Sequence, residues 1–256
     1  MDFQVDQLGN AQAGGVQRFD HRAVAQADRG CEVGGLQQRG NLRLRQRLRQ
    51  QARQLRGLHE GDRVVGALAV LHTLARAGEA RICAIVVNNK DIASLGAVAA
   101  INAYYGRNDI PLGMYPGTDI GVAAGDYVQA LAADAKRYGA SRFSRSDAPP
   151  AVCVYRRTLA TIADGHAVIV SIGHLNNLHA LLLSPPDAHI PLSGLELVRQ
   201  KVAHLVVMGG DYPEGKEHNF FARGSNTVTA VTIEHWPTPI LFSGFTIGLA
   251  LETGPG

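Results

Sequence analysis

The pattern of apolar and polar positions along this chain changes near residue 64. From there on, short runs rich in Val and Ile, typical of buried strands, alternate with longer segments whose apolar residues recur at helical spacing. The runs predict strands at residues 82–87, 167–172, 204–208 and 239–242. This alternation predicts an α/β fold with three αβα layers, in which helices cover both faces of an open, mostly parallel, Rossmann-like sheet.

The segments between these strands are predicted to be helices, and two of them end at a glycine. Gly78 and Gly106 each follow a helical pattern, at the position where glycine commonly ends a helix. The alternation shows no internal repeat. The predicted helices span residues 64–78, 92–105, 126–138, 151–163, 176–183, 194–202 and 225–235.

Residues 1–62 differ in composition from the rest of the chain. They are rich in Gln, Arg and Gly, and the leucines of residues 42–58 match one helical face poorly. We interpret this segment as a Gln/Arg-rich amino-terminal arm that is expected to be weakly ordered. The alternative is that its arginine cluster, residues 39–63, forms a basic helix for an acidic partner.

The overall composition is that of a soluble globular protein. The chain has 256 residues, of which 46% are hydrophobic and 18% charged, and its formal net charge of +3 is too small to favour nucleic acid binding. No apolar run approaches the roughly 20 residues that span a bilayer, and the amino terminus lacks the pattern of a signal peptide. The three cysteines have no metal-binding spacing and are expected to be free thiols. We therefore expect a cytoplasmic protein without a membrane or nucleic acid partner.

A candidate binding site follows the predicted strand at residues 204–208. Gly209 and Gly210 end this strand, and the polar loop after them leads to Glu217 and Asn219. Open α/β sheets bind ligands in the crevice at the carboxyl ends of their strands. The pattern therefore predicts the rim of a polar small-molecule pocket. The alternative is a loop whose polar residues only cap the next helix.

Four stretches of the chain resemble motifs of the inosine/uridine-preferring nucleoside hydrolase family, in the family's order. They are INAYYGRNDIPLG from Ile101, VSIGHLNNLHALLLSPPD from Val170, VVMGGDYPEGKEHNF from Val206 and WPTPILFSGFTIG from Trp236. The resemblance is specific because several unrelated motifs agree in order and approximate spacing. It implies a sheet of the nucleoside hydrolase type, incomplete at both ends, in a domain over residues 63–256 that is truncated at its carboxyl end.

The resemblance implies an enzyme that hydrolyses the N-glycosidic bond of ribonucleosides to ribose and base. In this family a calcium ion at the carboxyl ends of the strands binds the ribose hydroxyls and activates the attacking water. By correspondence with the motifs, Glu217 and Asn219 would hydrogen-bond the ribose hydroxyls, and Met208 would line the pocket. Asn89 would be a further sugar-binding residue, and the backbone carbonyl of Asn176 would contact the calcium ion.

The Asp-rich motif that supplies most calcium carboxylates in the family is missing from this chain. Counted back from Gly66, its aspartate positions fall on His59, Arg63 and Val64. The first strand of the family is also missing, and the last Asp ligand and the candidate His acid would lie beyond Gly256. We therefore expect that calcium is not bound tightly and that the chain has little or no hydrolase activity. The alternative function is a non-catalytic nucleoside- or sugar-binding relative.

The abrupt onset of the resemblance at Gly66 suggests how the motif was lost. Residues 1–62 have the composition expected when GC-rich coding DNA is translated out of frame, and the break falls inside the Asp-rich motif. We hypothesise that this arm comes from a different reading frame joined to a nucleoside hydrolase domain. The alternative is a genuine replacement of the amino-terminal region. A small-molecule ribonucleoside is the expected partner, and a homo-oligomer is compatible with the sequence.

Overall fold

The computed structural model describes residues 2–6, 61–117, 126–138, 143, 146–222 and 225–250. These residues belong to one compact unit, made of Met1–Leu8 and His59–Glu252. A second unit, Gly9–Leu58 with Thr253–Gly256, lies outside the described residues. Only the two ends of the predicted amino-terminal arm are therefore described.

The described residues contain one six-stranded sheet. Its strands are β1 (Asp2–Asp6), β2 (Arg81–Val87), β3 (Leu112–Met114), β4 (Ala167–Ser171), β5 (Val202–Met208) and β6 (Ile240–Ser243). They lie in the order β3-β2-β1-β4-β5-β6. β2 is parallel to β3, and β5 is parallel to β4 and β6, whereas β1 is antiparallel to both β2 and β4. All described strands except β1 therefore share one direction, and their carboxyl ends lie on one edge of the sheet.

Helices follow or precede each of the parallel strands. They are α1 (Gly61–Ala77), α2 (Ile92–Tyr104), α3 (Asp126–Ala133), α4 (Ala135–Tyr138), α5 (Ala151–Thr161), α6 (Asn176–Leu182), α7 (Gly194–Lys201), α8 (His218–Phe221), α9 (Asn226–His235) and α10 (Phe245–Ala250). None of the described helices has both the length and the apolar character required to cross a bilayer.

Local sequence signals set the boundaries of the first two helices. Asp91 precedes α2, and its side chain accepts a hydrogen bond from the backbone N–H of Ala93. This bond satisfies a donor that the first helical turn leaves unpaired. Gly78 and Gly106 follow α1 and α2 with φ values of 76° and 71°, a left-handed conformation that glycine adopts without strain. The two glycines therefore end these helices as the sequence predicts.

Apolar cores lie on both faces of the sheet. Ala84 and Val86 of β2 belong to a cluster that includes buried residues of α5, α6 and α7. Ile85 and Val87 of the same strand belong to a second cluster with buried residues of α1 and α2. Because successive residues of a strand point to opposite faces, helices cover the sheet on both sides. The predicted α/β class is therefore confirmed.

Strand β1 differs from the expectation for the amino-terminal arm. Residues 1–62 are expected to be weakly ordered, whereas Asp2–Asp6 pairs with both β2 and β4, and α1 begins at Gly61. The segment DFQVD is too short and too polar to be recognised as a strand from its sequence. The remainder of the predicted arm, residues 7–60, lies outside the described residues.

The strand order matches that of a doubly wound sheet, but the central strand has the opposite direction. The order 3-2-1-4-5-6 is typical of parallel doubly wound sheets, whose ligand crevice lies where the order reverses, next to the first strand. Here Asp2 is paired with Val86 and with Ser171. The amino end of β1 therefore lies at the edge where β2 and β4 end.

A buried arginine fixes the chain after α6. The guanidinium of Arg156, on α5, donates hydrogen bonds to Asp187 Oδ2 at 2.6 Å and to Ser184 Oγ at 2.9 Å. It also donates to the backbone carbonyls of Ile190 at 3.2 Å and Leu192 at 2.8 Å. Its hydrogen bond lowers the pKa of Asp187 to about 2. These contacts hold α6 from its far end, so its first turn has a defined position at the carboxyl end of β4.

Candidate functional site

Three loops meet at the edge where the parallel strands end. Asn88, directly after β2, donates through Nδ2 to the backbone carbonyl of His174, after β4, at 2.9 Å. The ring of His174 has Nδ1 3.1 Å from the carbonyl oxygen of Asn219, which follows β5. These contacts join residues from three strands. We call this place the carboxyl edge and define it by Asn88, His174, Asn176, Glu217 and Asn219.

Glu217 and Asn219 are held by hydrogen bonds within the loop after β5. Glu217 precedes α8, and its Oε1 accepts from the backbone N–H of Asn219 at 2.8 Å. Its Oε2 accepts from the N–H of Gly210 at 3.2 Å. The side chain of Asn219 donates through Nδ2 to the carbonyl of Met208 at 2.9 Å. The carboxylate therefore caps α8, as the alternative interpretation of the sequence expects, and its orientation is fixed.

Three residues around the start of α6 have buried polar side-chain atoms. They are Asn176, Asn177 and Ser171. Asn176 is 5% exposed, and its Oδ1 and Nδ2 have no hydrogen-bond partner among the described residues. Ser171 Oγ and Asn177 Oδ1 likewise have no partner in the described part of the chain, although Asn177 Nδ2 donates to the carbonyl of Val87 at 3.1 Å. An unpaired buried polar group costs about 1–3 kcal/mol. Ordered water or a ligand commonly satisfies such groups, so these atoms favour a polar ligand or ordered water at the carboxyl edge.

Asn89 is a sugar-binding residue by the family resemblance, but both the nitrogen and the oxygen of its side-chain amide make local hydrogen bonds. Nδ2 donates to Ser94 Oγ at 3.0 Å, and Oδ1 accepts from the backbone N–H of Asp91 at 3.0 Å. This is the strand-end turn that the sequence pattern also allows. The preceding residue, Asn88, is the one that contacts the loop after β4.

His174 is buried where the three loops meet, and it is 7% exposed. Burial lowers the pKa of its imidazole because the charged form loses hydration, while the contact with the Asn219 carbonyl acts in the opposite direction. A carbonyl oxygen only accepts, so in the neutral ring Nδ1 carries the hydrogen and Nε2 the lone pair. The ring of His218 lies beside it, with centroids 5.6 Å apart.

Sequence reasoning missed two residues of this site, Asn88 and His174. The available signal was their position directly after predicted strands, in the segments VVNN and SIGHLNN. That position brings a residue to the ligand-binding edge of a parallel sheet. The particular contacts of these residues depend on chain segments far away in sequence and could not be read from it.

The described residues do not fit a calcium site. Calcium takes about six to eight oxygen ligands, mostly carboxylates, carbonyls and water, and the described part of the chain holds no group of three or more His, Cys, Asp or Glu residues suited to a metal ion. Both oxygens of Glu217 accept backbone hydrogen bonds, and the carbonyl of Asn176 lies in the first turn of α6. Arg63 and Val64 belong to α1, and His59 lies outside the described residues. No catalytic step through calcium follows from this arrangement.

A cavity of about 220 Å³ lies elsewhere, near the amino end of β3. Its walls include Asn102, Ile110 and Arg157. Neither Glu217 nor Asn219 lines it, so it is not the pocket that the sequence analysis predicts for these two residues.

Comparisons with known proteins complete the description of the site. A scan against protein-family models, a search of curated proteins and a search of solved structures give no match to this chain. The resemblance to nucleoside hydrolases therefore depends on the four sequence motifs, and the comparisons assign the chain to no family.

Proposed function

We propose that residues 63–256 form a nucleoside hydrolase-like domain whose carboxyl edge binds the ribose of a small-molecule ribonucleoside. The positions of polar residues at this edge support the proposal. Glu217 and Asn219 lie beside His174, and the loop that contains His174 leads directly to the amide of Asn176, which has no partner among the described residues. Open α/β sheets bind ligands at this edge, and the sequence motifs suggest ribose as the ligand.

The polar groups of Glu217 and Asn219 suit neighbouring sugar hydroxyls. Each oxygen of a carboxylate accepts about two hydrogen bonds, and each oxygen of Glu217 uses one of these positions for a backbone N–H. The remaining lone pairs can accept from ribose hydroxyls. A hydrogen bond to a charged group contributes about 1.5–3 kcal/mol. We therefore expect Glu217 to contribute most to sugar affinity.

Asn176 and Met208 would complete the sugar site. Asn176 has a donor and an acceptor without partners among the described residues, and a hydroxyl both donates and accepts. Met208 ends β5, is half-buried, and has its carbonyl bonded to the amide of Asn219, so it offers an apolar wall beside this residue. Asn89 has a smaller role in this proposal, because its amide holds a local turn.

Binding, rather than efficient hydrolysis, is the activity that we propose for this chain. Cleavage of a glycosidic bond passes through an oxocarbenium-like transition state and needs an activated water. The positions that would hold calcium for this purpose carry His59, Arg63 and Val64 instead of aspartate. The chain is therefore proposed to be a nucleoside- or sugar-binding relative of nucleoside hydrolases.

Calorimetric titration of the full chain with inosine tests this function. 2′,3′-Dideoxyinosine is the control ligand because it lacks the 2′- and 3′-hydroxyls of the ribose. We expect Glu217→Gln to weaken inosine binding about ten-fold or more, which corresponds to a loss of about 1.4 kcal/mol. Glu196→Gln is the matched control, because Glu196 also caps a helix with its carboxylate but belongs to α7, outside the three loops.

Two outcomes would change the assignment. Equal affinity for inosine and dideoxyinosine would contradict ribose recognition at the carboxyl edge. Release of free ribose that a calcium chelator abolishes would instead favour an active calcium-dependent hydrolase.

A further inference from the structure

His174 connects the three loops of the carboxyl edge through its backbone and its ring. Its carbonyl accepts a hydrogen bond from Asn88 Nδ2 at 2.9 Å, and its Nδ1 lies 3.1 Å from the carbonyl of Asn219. The backbone of His174 thus contacts the loop after β2, and its ring contacts the segment after β5. One residue therefore holds both neighbouring loops against the end of β4.

The backbone of Asn219, which His174 contacts, also orients the groups proposed to bind the sugar. The N–H of Asn219 donates to Glu217 Oε1 at 2.8 Å, and its side-chain amide donates to the carbonyl of Met208 at 2.9 Å. A displacement of the Asn219 backbone would therefore move both the carboxylate and the amide. The contact from His174 restrains this backbone from the side of β4.

The contact is buried and requires a donor on the ring. His174 is almost fully buried, and the Asn219 carbonyl can only accept, so Nδ1 must carry the hydrogen. Without this donor the carbonyl would lose a partner in a part-buried place, which favours movement of the backbone toward water or another donor.

We propose that His174 is a positioning residue for ribose recognition, whose Nδ1–H fixes the Asn219 backbone and so directs Glu217 and Asn219 at the sugar. The inference rests on the proposed function for its ligand. Two substitutions separate the donor from the bulk of the side chain. Asparagine donates through Nδ2 from a place close to that of Nδ1, whereas leucine fills similar space without a donor.

Amide hydrogen exchange of the full chain tests the positioning role without a ligand. We expect His174→Leu to speed exchange at the Asn219 amide about ten-fold and His174→Asn to keep the original rate. His166→Leu is the matched control. Its Nδ1 also lies 2.8 Å from a backbone carbonyl, that of Asp164, but at the amino end of β4.

Inosine titration of the same variants tests the consequence for binding. We expect His174→Leu to weaken binding about ten-fold, with His174→Asn and His166→Leu close to the unaltered chain. Original exchange and affinity in His174→Leu would overturn the proposal, and so would a failure of His174→Asn to restore them.

Two further outcomes test the contact between His174 and Asn219 separately from inosine binding. If His174→Leu does not fold, the ¹⁵N spectrum of the His174 ring in the unaltered chain provides the test. An Nδ1–H tautomer supports the hydrogen bond to the Asn219 carbonyl, and an Nε2–H tautomer overturns it. If the unaltered chain binds no inosine, the proposed function fails, and the exchange rates still decide whether His174 positions Asn219.

Discussion

The two ends of strand β4 use polar residues in opposite ways. At the amino end, Asp164 accepts from Lys201 Nζ at 2.7 Å and from Gln200 Nε2 at 2.9 Å, and its carbonyl lies 2.8 Å from Nδ1 of His166. At the carboxyl end, the buried amide of Asn176 has no partner among the described residues. Polar groups at the first end satisfy one another, whereas the second end contains a buried amide for which the described residues offer no partner.

This difference is consistent with our proposal that the carboxyl end binds the ligand. The side chain of Asp164 is 60% exposed, and exposed ion pairs contribute little to stability. Buried groups without a partner reduce stability by about 1–3 kcal/mol each, and the Asn176 amide is such a group within the described part of the chain. Sequences retain such a cost mainly where function requires it. The contrast supports the binding site that we propose at the carboxyl end of β4, and the amino end resembles an ordinary solvated loop.

The largest expected effect concerns the strand that lies beside the carboxyl end of β4. Central strands of a sheet are usually apolar throughout. β4, with the sequence AVIVS, follows this rule, whereas β1, with the sequence DFQVD, does not. If the amino-terminal arm comes from another reading frame, translation of the DNA upstream of Gly66 in the other two frames yields an apolar strand followed by an Asp-rich stretch. A chain with that segment should bind calcium more tightly than the present chain, because the stretch supplies carboxylate ligands. Finding no such stretch would favour a genuine amino-terminal region and the non-catalytic relative.

Asn176→Leu should make the carboxyl end more stable and less able to bind. Leucine has a similar size and removes two polar atoms that lack a partner among the described residues, so we expect the free energy of unfolding to rise by about 1–2 kcal/mol. Inosine affinity should fall about ten-fold. Chemical denaturation and calorimetry measure the two effects. A destabilised variant, or one with unchanged affinity, would contradict our interpretation of the unpaired amide.

Acid should destabilise the protein through its buried histidines. Burial lowers the pKa of His174 and of His72 from the ordinary value of 6.5. As the pH falls, the unfolded chain therefore binds protons before the folded chain does. The resulting stability is complete above about pH 6.5 and is lost as the pH falls from there toward the folded pKa values. Denaturation measured across this pH range should show the fall in the free energy of unfolding. In His174→Asn this free energy should change less steeply with pH. If the free energy of unfolding changes equally with pH in the variant and in the unaltered chain, His174 does not contribute to the acid sensitivity.

The smallest effect is expected at the amino end of β4. Lys201→Met removes the partner of a largely solvated carboxylate, so the free energy of unfolding should fall only slightly, and less at high salt. Inosine binding should not change. A change in affinity would show that the two ends of β4 are coupled, which the contrast between them does not predict.

The sequence predicts four of the five described parallel strands and most helices because their signals are local, but it misses β3, which is only three residues long. The apolar runs at residues 82–87 and 204–208 lie within strands of the structure. The site was less predictable, because it depends on contacts between distant segments. The ring of His174 meets a carbonyl 45 residues away, and no local pattern encodes that distance. The choice between Asn88 and Asn89 depends on the geometry of a turn, which sequence alone does not provide.

Hydrogen-exchange footprinting of inosine on the full chain tests the central claim most directly. If the ribonucleoside binds at the carboxyl edge, exchange should slow in residues 86–94, 171–178 and 208–221. It should remain unchanged in residues 163–167 and 199–203, at the amino ends of β4 and β5. Protection confined to the amino ends, or no protection at saturating inosine, would contradict the account.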